Sequence, residues 1–404
     1  MERNLDVERA GGRCPPNQAS IGERLRRAAA ARPAAALAIL LCASLGVRAG
    51  VLPEDRADVL YHYYDGGGVQ IDGPSILVRK SAGQDLSFNA NYYVDTVSSA
   101  SIDVVTQASP YSEERKETTL GMDYLRGDTT LSAAWTRSDE SDYQATTWNL
   151  GLSQEVFGGL TTVSMGYGRG ADDVGKRDSD FSQPADHWRY RLGLSQILTR
   201  NLIASIDYES VADEGFLNNP YRRVRYADGS SATGYSYQDE VYPRTRDSNA
   251  VALRLRYFLP YRAAVSAGYR YYDDSWGIGA STYEVGYTHP WRRWTFDVGY
   301  RYYTQEAADF YSDLFPYADA QNFLARDKEL STFGSQALRF AVGYEVPIHF
   351  TRMLDKGSVN LVYDHFMYSY DDFRDIRGSG ATPGSEPLYS FSAGVLQLFF
   401  SLWF

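Results

Sequence analysis

The chain is 404 residues long, with a formal net charge of −11 and 14% aromatic residues led by 33 Tyr. Of its 40 basic residues only Lys80, Lys116, Lys176, Lys328 and Lys356 are lysines. No apolar run reaches the roughly 18 residues that a spanning helix needs, which excludes a polytopic helical membrane protein, and the acidic balance speaks against a nucleic-acid partner.

Residues 1–49 carry no aromatic residue and no histidine, yet hold both cysteines, Cys14 and Cys42. Arg24, Arg26, Arg27 and Arg32 precede an apolar stretch from Ala34 to Leu45, and Val47-Arg48-Ala49 offers a small-residue cleavage site. This is the layout of an export signal that is removed. The stretch is too short for an anchor, Leu41 precedes Cys42 where a lipoprotein signal needs a small residue, and alanines follow Arg26-Arg27 where twin-arginine export needs apolar residues. Removing eight Arg and four acids from the totals leaves 32 basic and 47 acidic residues, a net of −15, and no cysteine for a disulfide.

From residue 56 onward the dominant period is two. Leu86, Phe88, Ala90, Tyr92 and Val94 alternate with Ser87, Asn89, Asn91, Tyr93 and Asp95. Val251, Leu253, Leu255 and Tyr257 alternate with Ala252, Arg254, Arg256 and Phe258, and Phe296, Val298, Tyr300 and Tyr302 with Asp297, Gly299 and Arg301. Such alternation marks strands with one greasy and one polar face. It yields sixteen candidate strands, from 56–64 and 74–81 to 357–370 and 388–404.

From Ser81 on, short connections (Ala82-Gly83-Gln84, Gly127, Gly158-Gly159, Thr199-Arg200, Pro260, Pro290-Trp291 and 347–356) alternate with external ones. The latter fall near 96–114, 139–141, 170–186, 211–247, 274–275, 305–331 and 371–387, two of them brief. A soluble sandwich has no reason for this alternation; an outer-membrane barrel does, with short periplasmic turns and longer outer loops. Gly151-Leu-Ser-Gln154 recurs as Gly193-Leu-Ser-Gln196 before short turns, and Gly268-Tyr-Arg-Tyr-Tyr272 recurs as Gly299-Tyr-Arg-Tyr-Tyr303 before external loops, so strands two apart run the same way. Leu396, Leu398, Phe400, Leu402 and Phe404 alternate up to the last residue. This is the pattern of a closing strand and of a C-terminal signal for the barrel-assembly machinery. Tyr302, Tyr303, Trp291, Trp294 and Trp403 at strand ends are expected in the interfacial girdles.

Four phrases carry a family resemblance: 108–115 (ASPYSEER), 213–222 (DEGFLNNPYR), 249–264 (NAVALRLRYFLPYRAA) and 326–333 (RDKELSTF). In these the chain resembles the family of domain of unknown function 3570, whose members are predicted Gram-negative outer-membrane proteins. The resemblance implies an exported barrel and brings no catalytic or binding residues with it. It also implies a neighbourhood of a small lipoprotein, a flavin transferase and thioredoxin-like proteins, hence a link to extracytoplasmic redox work.

The five histidines, His62, His187, His289, His349 and His365, have no metal-ligand spacing, and no cofactor is expected. His187 beside Asp186 is the only adjacent pair near a long loop, and its plain reading is a solvated rim pair rather than a catalytic one. Asp172, Asp173, Asp178 and Asp180 are acidic enough for calcium, but Lys176 and Arg177 interrupt them, which favours solvated loop charge. The loop 211–247 mixes Tyr221, Tyr226, Tyr235, Tyr237 and Tyr242 with Arg222, Arg223, Arg225, Arg244 and Arg246. It either grips a carbohydrate, an anion or a protein, or folds into the barrel mouth and pairs with lumen acids. Arg254, Arg256, Arg270, Arg301 and Arg339 are expected to share the lumen with Asp123, Asp207, Glu284, Asp297, Glu345 and Asp364, setting ion selectivity in an open pore or pairing as a network in a filled one.

The expectation is an all-β transmembrane antiparallel up-and-down barrel of about sixteen strands, fourteen to eighteen being compatible with boundary errors. It comprises residues 50–404 in the lipids of the bacterial outer membrane. A pore or conduit for small solutes follows from that size. The alternative is a plugged scaffold that binds a periplasmic or lipoprotein partner in a redox system, while an enzyme lacks a constellation of residues.

Overall fold

The computed structural model describes residues 50–98, 112–348, 354–378 and 381–404. The expected export signal 1–49, residues 108–111 of the first family phrase and His349 lie outside the described residues.

Nine strands follow one another: β1 (Arg56–Gly66), β2 (Val69–Ala82), β3 (Leu86–Ser98), β4 (Ser112–Arg126), β5 (Thr129–Asp139), β6 (Tyr143–Val156), β7 (Thr161–Gly175), β8 (Ser182–Thr199) and β9 (Leu202–Gly215). The connection after β9 holds a separate two-stranded sheet, β10 (Arg223–Ala227) and β11 (Tyr235–Asp239). The wall resumes with β12 (Thr245–Phe258), β13 (Ala264–Asp274), β14 (Gly279–Trp291), β15 (Trp294–Gln305), β16 (Phe333–Pro347), β17 (Lys356–Arg374) and β18 (Leu388–Trp403). Sixteen of these strands form a closed antiparallel barrel in which each pairs with its sequence neighbours, β9 with β12, and β18 with β1.

The alternation read from the sequence appears as two faces. Val59, Tyr61, Ile76, Val78, Phe88, Tyr92, Leu120, Leu150, Leu192, Leu253, Val285, Phe340 and Phe400 are all exposed large hydrophobics. They form a belt around the wall, and the opposite parity carries the Ser, Thr, Asn, Asp and Arg. Such a belt is tolerable only against an apolar surrounding. At the C-terminus Phe400 and Leu402 are exposed, Leu398 is half-buried, and Phe404 lies just past β18 with the Lys80 ammonium 4.8 Å from its ring centre. Period two also corrects the girdle. Tyr302 is exposed on the belt, but Tyr303 and Trp403 have the parity of Arg301 and Ser401, and the Arg301 guanidinium sits 5.5 Å over the Tyr303 ring.

Both sequence echoes run as expected, β6 with β8 and β13 with β15. The glutamine ending each first echo is an anchor. Thr129 donates to Gln154, Thr161 donates to Gln196 at 2.5 Å, and each glutamine amide donates to the carbonyl of the residue that follows it, Glu155 at 2.8 Å and Ile197 at 3.1 Å.

The second strand begins earlier than the pattern suggests. Gly67 and Gly68, with φ of 63° and 87°, make the two-residue turn that left-handed backbone allows, and β2 starts at Val69. Pro74, which cannot donate to a ladder, hides this start in the sequence. Next to it, Gly73 lies in register with His62, and a Cβ there would sit 1.9 Å from the carbonyl oxygen of Val94. The missing side chain lets His62 reach across β2 to Asp95 at 2.7 Å while stacking on Tyr93 at 5.0 Å. Gly73→Ala is therefore expected to destabilise the barrel by about 1–3 kcal/mol. Gly229→Ala, whose Cβ meets nothing within 4 Å, should be neutral. The temperature at which the folded band converts to the unfolded band on a detergent gel checks this; equal temperatures would refute the close-packing argument.

Candidate functional site

All the long connections lie at one end of the barrel, and three of them interlock there. The loop 216–244 and the loop 306–332 are joined by bridges between Tyr226 and Phe315 and between Val241 and Leu324, a third bridge from Tyr311 to Ala325 folds the second loop on itself, and the loop 375–387 is tied in through Glu386. Tyr242, Trp276, Phe310, Ala325 and Leu330 form one apolar core beneath them, and Val224, Phe315 and Leu324 another. The centre is charged. Arg225, 0% exposed, donates to the Asp313 carbonyl at 2.9 Å, to the Asp313 carboxylate, and to both oxygens of Glu386 at 2.5 and 3.1 Å. Arg326 donates to Asp313 at 3.1 Å and to the Arg374 carbonyl at 3.1 Å, and Arg374 donates to the Glu386 carbonyl at 2.5 Å. A buried ion group of this kind is strongly destabilised when one partner goes. Burial is the largest single influence and works to raise the Glu386 carboxyl, but the hydrogen bonds and positive charge of Arg225 together with backbone N–H donors outweigh it and hold the group below its ordinary value of 4.5. The buried arginine of loop 211–247 thus takes its partners from other loops and not from the lumen acids. Arg222 likewise pairs with Asp327.

Under this cap lies a cavity of about 780 Å³, bordered by the strand ends at Tyr143, Val174, His187 and Asp213 and by Tyr221 and Trp276 from above. His187 is clamped, with Nε2 2.9 Å from Asp172 and Nδ1 2.7 Å from Asp213. Asp186 is not its partner: neighbours along a strand face opposite ways, and Asp186 accepts from Arg169 at 2.9 Å. The same contacts correct the reading of Asp172 as solvated loop charge, because it sits in β7, is buried, and is committed to His187 and to the Tyr143 hydroxyl. Among the described residues no cluster of three or more ligands suited to a metal occurs. The clamp lies beyond the Tyr167 and Tyr190 rings, which pack 5.5 Å apart at the upper edge of the apolar belt. Outside that belt, hydrogen bonding to Asp172 and Asp213 outweighs burial and pushes the imidazole up to about 9.

Deeper in the wall the polar face carries an arc of arginines. Arg254 donates to Asp207 at 2.7 Å, Arg191 to Glu209 at 2.7 Å, and Arg339 to both oxygens of Asp364 at 2.7 and 3.0 Å. Arg301 stays 3.6 Å from Glu284, and Arg270 3.7 Å from Glu209. The last contact crosses the intervening β12, a reach available on the concave side of a closed sheet. Two hollows open in this arc, one of about 260 Å³ beside Arg254, Arg270, Glu284 and Arg301, the other of about 380 Å³ beside Arg254, Arg256 and Glu284. Asp297 accepts from Thr288 at 3.0 Å, Glu345 is exposed nearer the short-turn end, and neither borders the hollows. Sequence reading missed Arg189, Arg191 and Glu209. The every-second-residue pair Arg189 and Arg191 repeats the signal seen in Arg254 and Arg256, so it was available.

A family profile described as protein of unknown function (DUF3570) matches residues 177–354. The family that the sequence phrases resemble is the family matched. Three of the four phrases, at 213–222, 249–264 and 326–333, fall inside that span. No curated protein matches the chain. Similar solved structures include OccK1 (OpdK) of Pseudomonas aeruginosa, at 10% identity and TM-score 0.41 over 88% of this chain and 100% of that one. Others are a bacterial polysaccharide outer membrane secretin, at 6% and 0.46 over 86% and 99%, and the CymD monoaromatic hydrocarbon channel, at 10% and 0.41 over 87% and 89%.

Two outcomes follow from the loop end. Arg225→Ala leaves Asp313 and Glu386 without their main partner and should loosen the cap by about 3–5 kcal/mol, while the barrel stays folded. Limited proteolysis should then cut within 216–244, and the wild-type cap should become susceptible only as pH falls below about 4.5 and Glu386 takes up its proton. Unchanged protection in the variant would refute the clamp. For His187, whose folded pKa is raised, the stabilisation is complete below its ordinary 6.5 and fades as pH rises through about 9. Its imidazole resonance should titrate near there and move back toward 6.5 in Asp213→Asn; an unshifted midpoint would contradict the two-carboxylate clamp.

Proposed function

We propose that the chain is an outer-membrane conduit for small solutes whose outer mouth is covered by its own interlocked loops. The observation that carries this reading is the exposure of the wall charges. Arg254, Arg301 and Arg339 keep 59%, 43% and 57% of their side-chain surface open, whereas Arg225 in the cap keeps none. Guanidinium groups left so open at mid-wall imply water beside them rather than a plug, because a filled interior would pair and bury them. The belt of exposed Tyr, Leu, Val and Phe supports placement in a bilayer, and the side that bears long loops is the outer one in such barrels. Opposite charges along one arc supply a field across the lumen that favours one sign of solute ion. The loops serve as a gate over this wall.

Planar-bilayer recording of the chain purified from membranes tests the reading. Steady unitary conductance is expected, with Arg225→Ala spending a larger fraction of time open because its cap is loosened. A folded, heat-modifiable barrel that conducts in neither form would overturn the conduit and favour a scaffold that holds a periplasmic or lipoprotein partner.

A further inference from the structure

The geometry points to the two adjoining hollows on the wall from β8 to β15 as one subsite for the oxyanion of a small solute, a carboxylate or a phosphate; the inference rests on the conduit reading and names what the conduit takes.

The subsite arises from the echoed phrase Gly-Tyr-Arg-Tyr-Tyr. In each copy the glycine and the arginine share the polar face and the tyrosine between them joins the belt: Tyr269 and Tyr300 are exposed there. Gly268 and Gly299 thus remove side chains from the wall two residues below Arg270 and Arg301. On the strand between them Gly286 does the same, and a Cβ at that position would meet the Ser266 hydroxyl at 2.6 Å. What would be a flat polar wall becomes concave, and Arg254, Gly268 and Glu284 border both hollows.

The donors in this concavity are underused. Arg270 and Arg301 lie 3.7 and 3.6 Å from their carboxylates, beyond good hydrogen-bond length. Among the described residues Arg256 has no acidic partner. Glu284 is the single acid bordering the hollows, against Arg254, Arg256, Arg270 and Arg301, and Ser195, Ser205 and Ser266 add hydroxyls to the lower one. With Asp207 on Arg254 and Glu209 beside Arg270 counted too, four guanidinium groups face three carboxylates, a local excess of positive charge inside a chain that is acidic overall. Planar guanidinium forks match carboxylate and phosphate oxygens two at a time. The groups remain wet, so each contact is weak, and binding in the millimolar range, about −4 kcal/mol, is expected. Weak binding suits a passage, because a solute must leave as readily as it enters.

Two readouts separate this inference from the conduit. In detergent, ³¹P line broadening of inorganic phosphate and ¹³C line broadening of acetate report binding whether or not the barrel conducts. In bilayers, the reduction of chloride current by each anion reports binding within the path. The Arg256→Ala, Arg301→Ala double variant should weaken binding of the preferred anion about tenfold while the barrel stays heat-modifiable, and Glu284→Gln should tighten it about threefold. Phosphate and acetate responses also rank the two headgroups. Binding that is absent, or unchanged in both variants, would overturn the subsite even in a conducting barrel. Binding that responds to the variants in a barrel that never conducts would keep the subsite and remove the conduit.

Discussion

Closure is the constraint on which the rest depends. A strand edge facing hydrocarbon would leave a row of N–H and C=O groups without water or partner, at several kcal/mol for each group. The first strand removes that penalty by pairing along its whole length with β2 on one side and β18 on the other, from Arg56 to Gly66. Once the ring is shut, period two divides every strand between an outer and an inner surface. Leu253 and Arg254 can then be adjacent in sequence and live in opposite solvents. The exposed apolar belt and the solvated arginines are two consequences of one hydrogen-bonding condition.

Local terms decide the ends. Left-handed turns at Gly67-Gly68, Gly83, Gly127 and Gly158-Gly159 bring strands back within a few residues, and all but the first of these lie on the side where Arg56 pairs with Trp403. The other end is free to carry length, and it uses that length to build a second, smaller core. Tyr242, Trp276 and Phe310 pack with rings 5.3–5.5 Å apart, a cluster that no strand pattern requires. Its cohesion comes from burial and from the Arg225 group, so it can open without disturbing a single wall ladder.

What was legible in the sequence follows from how far each interaction reaches along the chain. Alternation is a property of neighbouring residues, and strand number and strand direction were readable from it, while the family phrases were legible separately, as a resemblance. Pro74 misled because a missing N–H ordinarily ends a strand, yet here it falls where Gly73 lets β2 and β3 crowd together. Tyr303 misled because being near a strand end says nothing about parity. The cap was unreadable for a different reason. Arg225 takes Asp313 and Glu386 as partners 88 and 161 residues away, and nothing local in a loop of mixed Tyr and Arg selects those acids over the ones in the wall. His187 is the intermediate case: its partners lie on the strands to either side, so register alone places Asp213 opposite it and leaves Asp186 on the far face.

The same side chain therefore performs two kinds of work, and desolvation separates them. In the cap, arginine is stripped of water, so each guanidinium must be fully answered by acids and carbonyls, and the pairing becomes a structural commitment that is costly to break. In the wall, arginine keeps about half its surface in solvent, the pairings of Arg270 and Arg301 at 3.7 and 3.6 Å are loose, and in the proposed conduit an incoming anion would compete with Glu209 or Glu284 at little cost. A mouth held by buried charge and a wall lined with available charge are complementary. In the proposed conduit, the first would set how often the path is open, and the second which solutes gain by entering it. Because the two groups share no residues, substitutions in one should leave the energetics of the other nearly unchanged, so that in the proposed conduit gating and selectivity would be separable.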